Sequence, residues 1–281
     1  AELTAQWRKL GPGYGCIGVT CDATGMFDNL SHEKGLAFLD WLCEAALARG
    51  ITVLSIRRTG RGGVYVGQPP DKAAYYTLTV KEICSLVEFD IRWLIFRLGP
   101  LLMVQTFGFP MGMPPSHPLS VGICAWDSIV FSGSLSLYRP KLTVRAYVDD
   151  CMALVFYRLF GAGEGLGRAV ALLRHWRTEC YDRNLTLELT AGSLDRFEML
   201  DMSVTLDQVD QSVSVVAFDK NTAALREGGT RPFVRYQHYE SYVPRSTLVG
   251  VLVSALLRFR RNTTHDHLLP ALVVDYWREL E

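Results

Sequence analysis

Residues 142–157 read Leu-Thr-Val-Arg-Ala-Tyr-Val-Asp-Asp-Cys-Met-Ala-Leu-Val-Phe-Tyr, and no other stretch limits the fold as much. Two β-prone, largely apolar runs flank an acidic pair, the pattern of a hairpin with Asp149-Asp150 at its turn. A second apolar run, Cys16-Ile-Gly-Val-Thr-Cys21, ends at Asp22, as in a buried strand carrying a carboxylate at its tip. Turns favour Asp for structural reasons, so one such residue would mean little. Like charges between apolar strands are costly without a counter-ion. The spacing by itself leaves a metal site and plain structure equally open.

The flanking chain alternates helices and strands. Ser31 starts a helical pattern with Leu36, Phe38, Leu39 and Leu42 on its apolar side, and Gly50 stops it. Residues 51–68 read as two short strands around a basic, Gly-rich turn at 57–63. Thr79 and Glu82 form a capping box before Ile83, Leu86 and Val87. Residues 94–98 and 101–105 flank Gly99-Pro100 as a hairpin. A Pro-rich loop at 108–118 feeds a helix of about 15 residues. An amphipathic helix at 164–183 runs through Leu166, Val170, Leu173 and Trp176. Strands are expected at 185–190, 197–206 and 212–218. After 219 comes a loop rich in Arg, Tyr and His, then a helix over 246–261, which places a domain boundary near 219.

Composition excludes some classes. Apolar residues make up 49% of the 281, and 29 basic residues balance 29 acidic ones, so the chain is globular and not disordered. A neutral total excludes a surface that is basic all over, but not one basic face. Arg231, Arg235, Arg245, Arg258, Arg260 and Arg261 face one acid in their interval, Glu240, with Tyr236, Tyr239 and Tyr242 interleaved. Arginines neutralise phosphates, and tyrosines stack on bases or bond sugars. Seven scattered cysteines form no C-x-x-C pair, which argues against a zinc ribbon and for reduced thiols in an intracellular protein, the compartment (nucleus or an organelle) being left open. No signal peptide opens the chain. The most apolar window, 119–138, includes Asp127 with several Ser and Gly, and reads as a buried helix and not a membrane span.

Tyr147-Val148-Asp149-Asp150 resembles the acidic hairpin of reverse transcriptases. Asp22-Ala-Thr-Gly-Met-Phe27-Asp-Asn29 resembles their first metal-binding motif. Gly108-Phe-Pro-Met111-Gly112-Met-Pro114-Pro-Ser116-His-Pro-Leu119 is similar to their glycine turn and helix. The match is best to the Penelope-like group, relatives of telomerase, which carry Met-Gly where most members carry Gln-Gly; Gln105 fits the same pattern. Leu187-Glu188, then Met199-Leu200-Asp201, and Tyr239-Glu-Ser241-Tyr-Val-Pro244-Arg245 resemble that group's later motifs. The five ordered motifs cover residues 12–261.

The resemblance implies an α+β fold: a right-hand polymerase palm, an antiparallel sheet packed on helices, with a helical C-terminal thumb. The palm would span 1–218, with residual fingers elements over 31–104, and the thumb 219–281. The implied activity is RNA-directed DNA synthesis, transferring deoxynucleotides to a primer 3′-hydroxyl. The implied partners are an RNA template with a DNA primer and deoxynucleoside triphosphates, with no membrane. Asp22 and Asp149 would ligate two Mg²⁺ (Mn²⁺ as substitute), Asp150 would assist, and Ala23 would adjoin the metals. Phe27 would be the steric gate against a 2′-hydroxyl. Gln105, Met111 and Gly112 would border the nucleotide, Gly112 letting backbone come close, and Ser116 would cap the next helix. Tyr147, Leu200, Asp201, Arg235, Arg245, Arg258 and Arg261 would meet nucleic acid, with Leu200-Asp201 as the primer grip.

The departure from the family lies upstream. Only 21 residues precede Asp22, too few for the family's fingers. A longer product, or a partner chain supplying fingers, is therefore expected. The alternative is a domesticated, inactive palm that binds nucleic acid as a subunit of a nucleoprotein complex. A telomerase-like role is disfavoured, since no dedicated RNA-binding domain precedes the palm.

Overall fold

The apolar run at 16–21 and the two runs around 148 are strands of one sheet. In the computed structural model, which describes residues 2–59, 63–135, 141–159, 163–190, 192–217 and 244–280, they form its centre and one edge. Helix α1 (Glu2–Leu10) precedes β1 (Tyr14–Thr24). A short helical turn, α2 (Met26–Asn29), leads into α3 (His32–Ala48), capped by the Ser31 hydroxyl, which accepts from the Lys34 N–H. Strands β2 (Val53–Arg57), β3 (Val64–Val66) and β4 (Tyr75–Thr79) make a three-stranded sheet with β2 in the middle. The capping box at Thr79 and Glu82 is formed and starts α4 (Val80–Arg92). The hairpin β5 (Ile95–Leu98) and β6 (Leu101–Val104) follows, then α5 (Ser116–Ser134).

The return half begins with β7 (Lys141–Tyr147) and β8 (Asp150–Arg158). Helix α6 (Glu164–Glu179) leads to β9 (Thr186–Leu189), which completes a four-stranded sheet in the order β7-β8-β1-β9. Strands β10 (Arg196–Met199), β11 (Met202–Asp207) and β12 (Ser212–Ala217) form an antiparallel meander. Then come α7 (Arg245–Arg261) and α8 (Leu269–Leu280). The strand expected at 197–206 is thus two strands, broken at Leu200-Asp201. The expected boundary near 219 lies outside the described residues.

The chain separates into two compact units. The first comprises Ala1–Asp22, Leu135–Thr178 and Leu187–Glu281, and the second Ala23–Ser134 and Glu179–Thr186. In the first, β1 and β8 pair antiparallel from Tyr14 opposite Arg158 to Asp22 opposite Asp150. Their shared face presents Cys16, Met152, Leu154 and Phe156 to Trp7 of α1 and to Phe197, Val204 and Val213 of the meander. Each fully buried side chain of that size contributes about 1.5–3 kcal/mol. In the second unit α3 packs on α5, where the Asp127 carboxylate meets Lys34 Nζ at 2.6 Å. Burial pushes Asp127 up, and Lys34 offsets part of the rise.

Among the described residues the seven cysteines form no disulfide, and Cys16, Cys21, Cys124, Cys151 and Cys180 are buried. Burial pushes the Cys16 and Cys21 thiols up to about 12. Among the described residues no helix is long and apolar enough to cross a membrane.

Candidate functional site

Directly paired residues of an antiparallel sheet point to the same face. The β1–β8 register therefore puts Asp22 and Asp150 side by side, on the face that carries the core and just past its last buried rung, Thr20 opposite Met152. The acidic hairpin differs in detail from the sequence expectation. Tyr147 pairs with Asp150, so the two-residue turn is Val148-Asp149 and Asp150 is the first residue of β8. Val148 has φ +58°, a left-handed conformation that a β-branched residue adopts only under constraint. Asp149 is exposed and Asp150 half-buried, so the burial cost foreseen for the pair does not fall on Asp149.

Asp22 bears the electrostatic load. Partial burial first, then the charges of Asp149 and Glu188, push its carboxyl above the ordinary value. A cation at this end of the sheet would relieve that field. Among the described residues no group of three or more His, Cys, Asp or Glu side chains is close enough to form a metal cage. Mg²⁺ does not ask for one, because it is ordinarily held by one or two carboxylates with substrate phosphates and water completing its shell. Asp22, Asp149 and Asp150 offer hard oxygens, the donor type that Mg²⁺ takes.

The second unit holds another group of expected site residues. Ala23, the next residue of β1, is buried. Phe27 is half-buried in α2; its carbonyl accepts from the Phe109 N–H at 2.7 Å, and its ring lies 6.3 Å from that of His117. The glycine-turn loop is thus docked on α2, within the same unit. Gly108, named only as part of a motif, proves to be the residue that permits this. Its φ is +76°, and a Cβ there would stand 3.0 Å from the Asp28 carbonyl oxygen. Its carbonyl also meets His32 Nε2 at 2.8 Å. A Cβ on Gly112, by contrast, would meet nothing within 4 Å, so no atom of the described chain demands glycine there. Met111 beside it is 78% exposed. Gln105 is half-buried, and its side-chain amide donates to the Phe107 carbonyl at 2.9 Å. Ser116 opens α5 with a fully buried hydroxyl that has no hydrogen-bond partner among the described residues, so it is not seen capping the helix.

The remaining expected residues lie in the first unit. Tyr147 is exposed at the end of β7. Leu200-Asp201 form a two-residue turn between β10 and β11, with Leu200 at φ +55°. This repeats the Val148-Asp149 pattern: an apolar residue in the left-handed region, then an Asp. Asp201 Oδ2 accepts from Arg258 Nη1 at 2.8 Å, which ties this turn to α7. Arg245 and Arg261 are exposed near the two ends of α7. Arg235 and the Tyr239-to-Val243 part of the last motif lie outside the described residues.

No protein-family model and no curated protein matches the chain. Its architecture has counterparts among solved structures. The fold is shared with telomerase. Telomerase from Candida albicans, in complex with the TWJ fragment of telomeric RNA, superposes with a TM-score of 0.50 at 11% identity, over 91% of this chain and 37% of that one. Telomerase from Candida tropicalis, also with a TWJ fragment of telomeric RNA, gives 0.51 at 10%, over 91% and 36%. The apo form of the latter gives 0.51 at 11%, over 91% and 39%. The chain spans under two-fifths of those telomerase chains. At this identity the likeness is one of fold.

Proposed function

We propose that the chain carries the palm-and-thumb core of an RNA-directed DNA polymerase, which adds deoxynucleotides to a primer 3′-hydroxyl. The observation that carries this reading is the β1–β8 register, which sets Asp22 opposite Asp150 beside the Asp149 turn, in a fold shared with telomerase. The implied partners are an RNA template with a DNA primer and deoxynucleoside triphosphates. The telomeric RNA in the Candida complexes is in keeping with an RNA partner.

Asp22 and Asp149 would hold two Mg²⁺, with Asp150 and the Ala23 backbone adjoining. Bound there, the ions would make the 3′-hydroxyl a better nucleophile and neutralise the departing pyrophosphate. The chain's own part is placement. A strand tip fixes the Asp22 carboxylate, and a tight turn fixes that of Asp149, each with little freedom to lose. The Phe27 ring would deny space to a 2′-hydroxyl. Met111 and Gly112, exposed and open, would leave room for the nucleotide and paired template. Arginines of α7 would neutralise the backbone of the bound duplex.

Primer extension on poly(rA)/oligo(dT) with Mg²⁺ tests the reading. Wild type should extend, and Asp149→Ala should lose more than about 100-fold of that rate. Hybrid binding without extension would leave the second reading, a nucleic-acid-binding subunit that no longer polymerises. Phe27→Ala should admit ribonucleotides; unchanged sugar selection removes the gate from that residue.

A further inference from the structure

The apolar anchorage of helix α7 runs from Leu252 to Phe259, with half-buried Leu252 and Leu256 packed beside the buried residues. Among its described side chains only Ala255 and Phe259 are buried, packed with Ala217 and Tyr276, and both lie in its C-terminal half. Val249, Val251, Val253 and Leu257 are exposed. Seventeen residues make a rod of about 25 Å. Among the described residues, the two turns that begin at Arg245 and precede Leu252 have no buried side chain, so a small rotation at the footing becomes a larger displacement at the tip.

Just past the helix, Thr263 and Thr264 accept from the Ala217 and Val215 N–H groups of β12, and within its last turn the polar tether is the Arg258–Asp201 ion pair, at 2.8 Å, with side chains 37% and 32% exposed. It joins the last turn of α7 to the tight turn between β10 and β11. A bare carboxylate at Asp201 would repel a phosphate backbone. Paired, it is neutralised and fixes the helix instead.

We propose that Asp201 is a positioning residue. Through Arg258 it sets the direction of α7, and with it where Arg245 at the tip and Arg261 at the footing stand for a polyanionic backbone. The inference rests on the nucleic-acid reading above. It reverses the expected part of two residues: Asp201 does not touch the primer, and Arg258 does not neutralise a phosphate.

The test is a salt titration of binding to labelled poly(rA)/oligo(dT), with the full chain. The variants are Asp201→Asn, Arg258→Ala, Arg261→Ala and the reversed pair Asp201→Arg with Arg258→Glu. Asp201→Asn and Arg258→Ala should each weaken binding about five- to tenfold at fixed salt, with the slope of log K against log salt unchanged. The reversed pair should regain most of the loss. Arg261→Ala should lower the slope by about 0.9, the signature of one lost phosphate contact. The proposal is overturned if Arg258→Ala lowers the slope by as much, or if Asp201→Asn binds as tightly as wild type.

Hydrogen exchange without nucleic acid reads the same tether independently. Amides over 245–254 should exchange faster in both single variants and be re-protected in the reversed pair. Unchanged exchange overturns the positioning role. A wild type that binds no hybrid removes the polymerase reading, while the exchange data still decide what Asp201 does to α7.

Discussion

At the scale of the residue, Asp22 is a carboxylate held against its own preference. Burial, then Asp149 and Glu188, raise it above the ordinary 3.8. Above its raised folded value, the native state carries a charge that the unfolded chain bears more easily. Below 3.8 both states are protonated and the penalty is gone. Asp22→Asn is therefore expected to raise Tm by about 1–3 °C near neutral pH. Melts taken down through the ordinary carboxylate range should show the gain shrinking to nothing. A gain that ignores pH would assign the effect to something other than charge. Millimolar Mg²⁺ should stabilise wild type near neutral pH, and stabilise the Asp22→Asn/Asp149→Asn double variant much less. Equal shifts in both would sink the metal site. The strand-tip place of Asp22 was legible, because an apolar run stops at a charge. The exposure of Asp149 was not, because Val-Asp-Asp can put either of two pairs at a two-residue turn, and pairing across β7 and β8 decides between them.

At the scale of the element, local chemistry read well where it was self-contained. The Ser31 cap, the Thr79–Glu82 capping box and the Gly99-Pro100 hairpin need only neighbours a few residues away, and all three are formed. The break at Leu200-Asp201 was not legible in the strand pattern because Leu seldom takes a left-handed turn position, and Leu200 stands at φ +55°. The added strand β4 was missed too, since its place beside β2 is set by tertiary pairing. Two predictions belong here. Val148→Gly should remove left-handed strain and stabilise the acidic hairpin by about 1 kcal/mol in denaturant melts; a loss of stability would mean that the Val148 side chain contributes more than its backbone costs. Gly108→Ala should destabilise by about 1–3 kcal/mol, because its Cβ would press on the Asp28 backbone. If it melts like wild type, the loop is not docked on α2 as described.

At the scale of the whole molecule, the second unit carries an unusual apolar surface. Every residue of β5 and β6 is exposed, including Phe96, Leu98, Leu101 and Leu102, the last at 77%. Leu86, Phe89 and Trp93, in and just after α4, are exposed as well. Apolar area of this extent lowers solubility. Leu102→Lys should raise the concentration at which light scattering begins, with stability unchanged within about 0.5 kcal/mol; a large loss of stability would show that the hairpin needs Leu102 for its own fold. The sequence showed these residues to be apolar, but not that they lie outside a core. The strand register has the opposite character, for it tolerates no editing. A one-residue slip sends every side chain of a strand to the other face, so one codon lost within 14–22 or 150–158 would turn Asp22 and Asp150 away from each other. Descendants of this gene should then vary in length between β2 and β3 and keep the count of residues along these two strands constant.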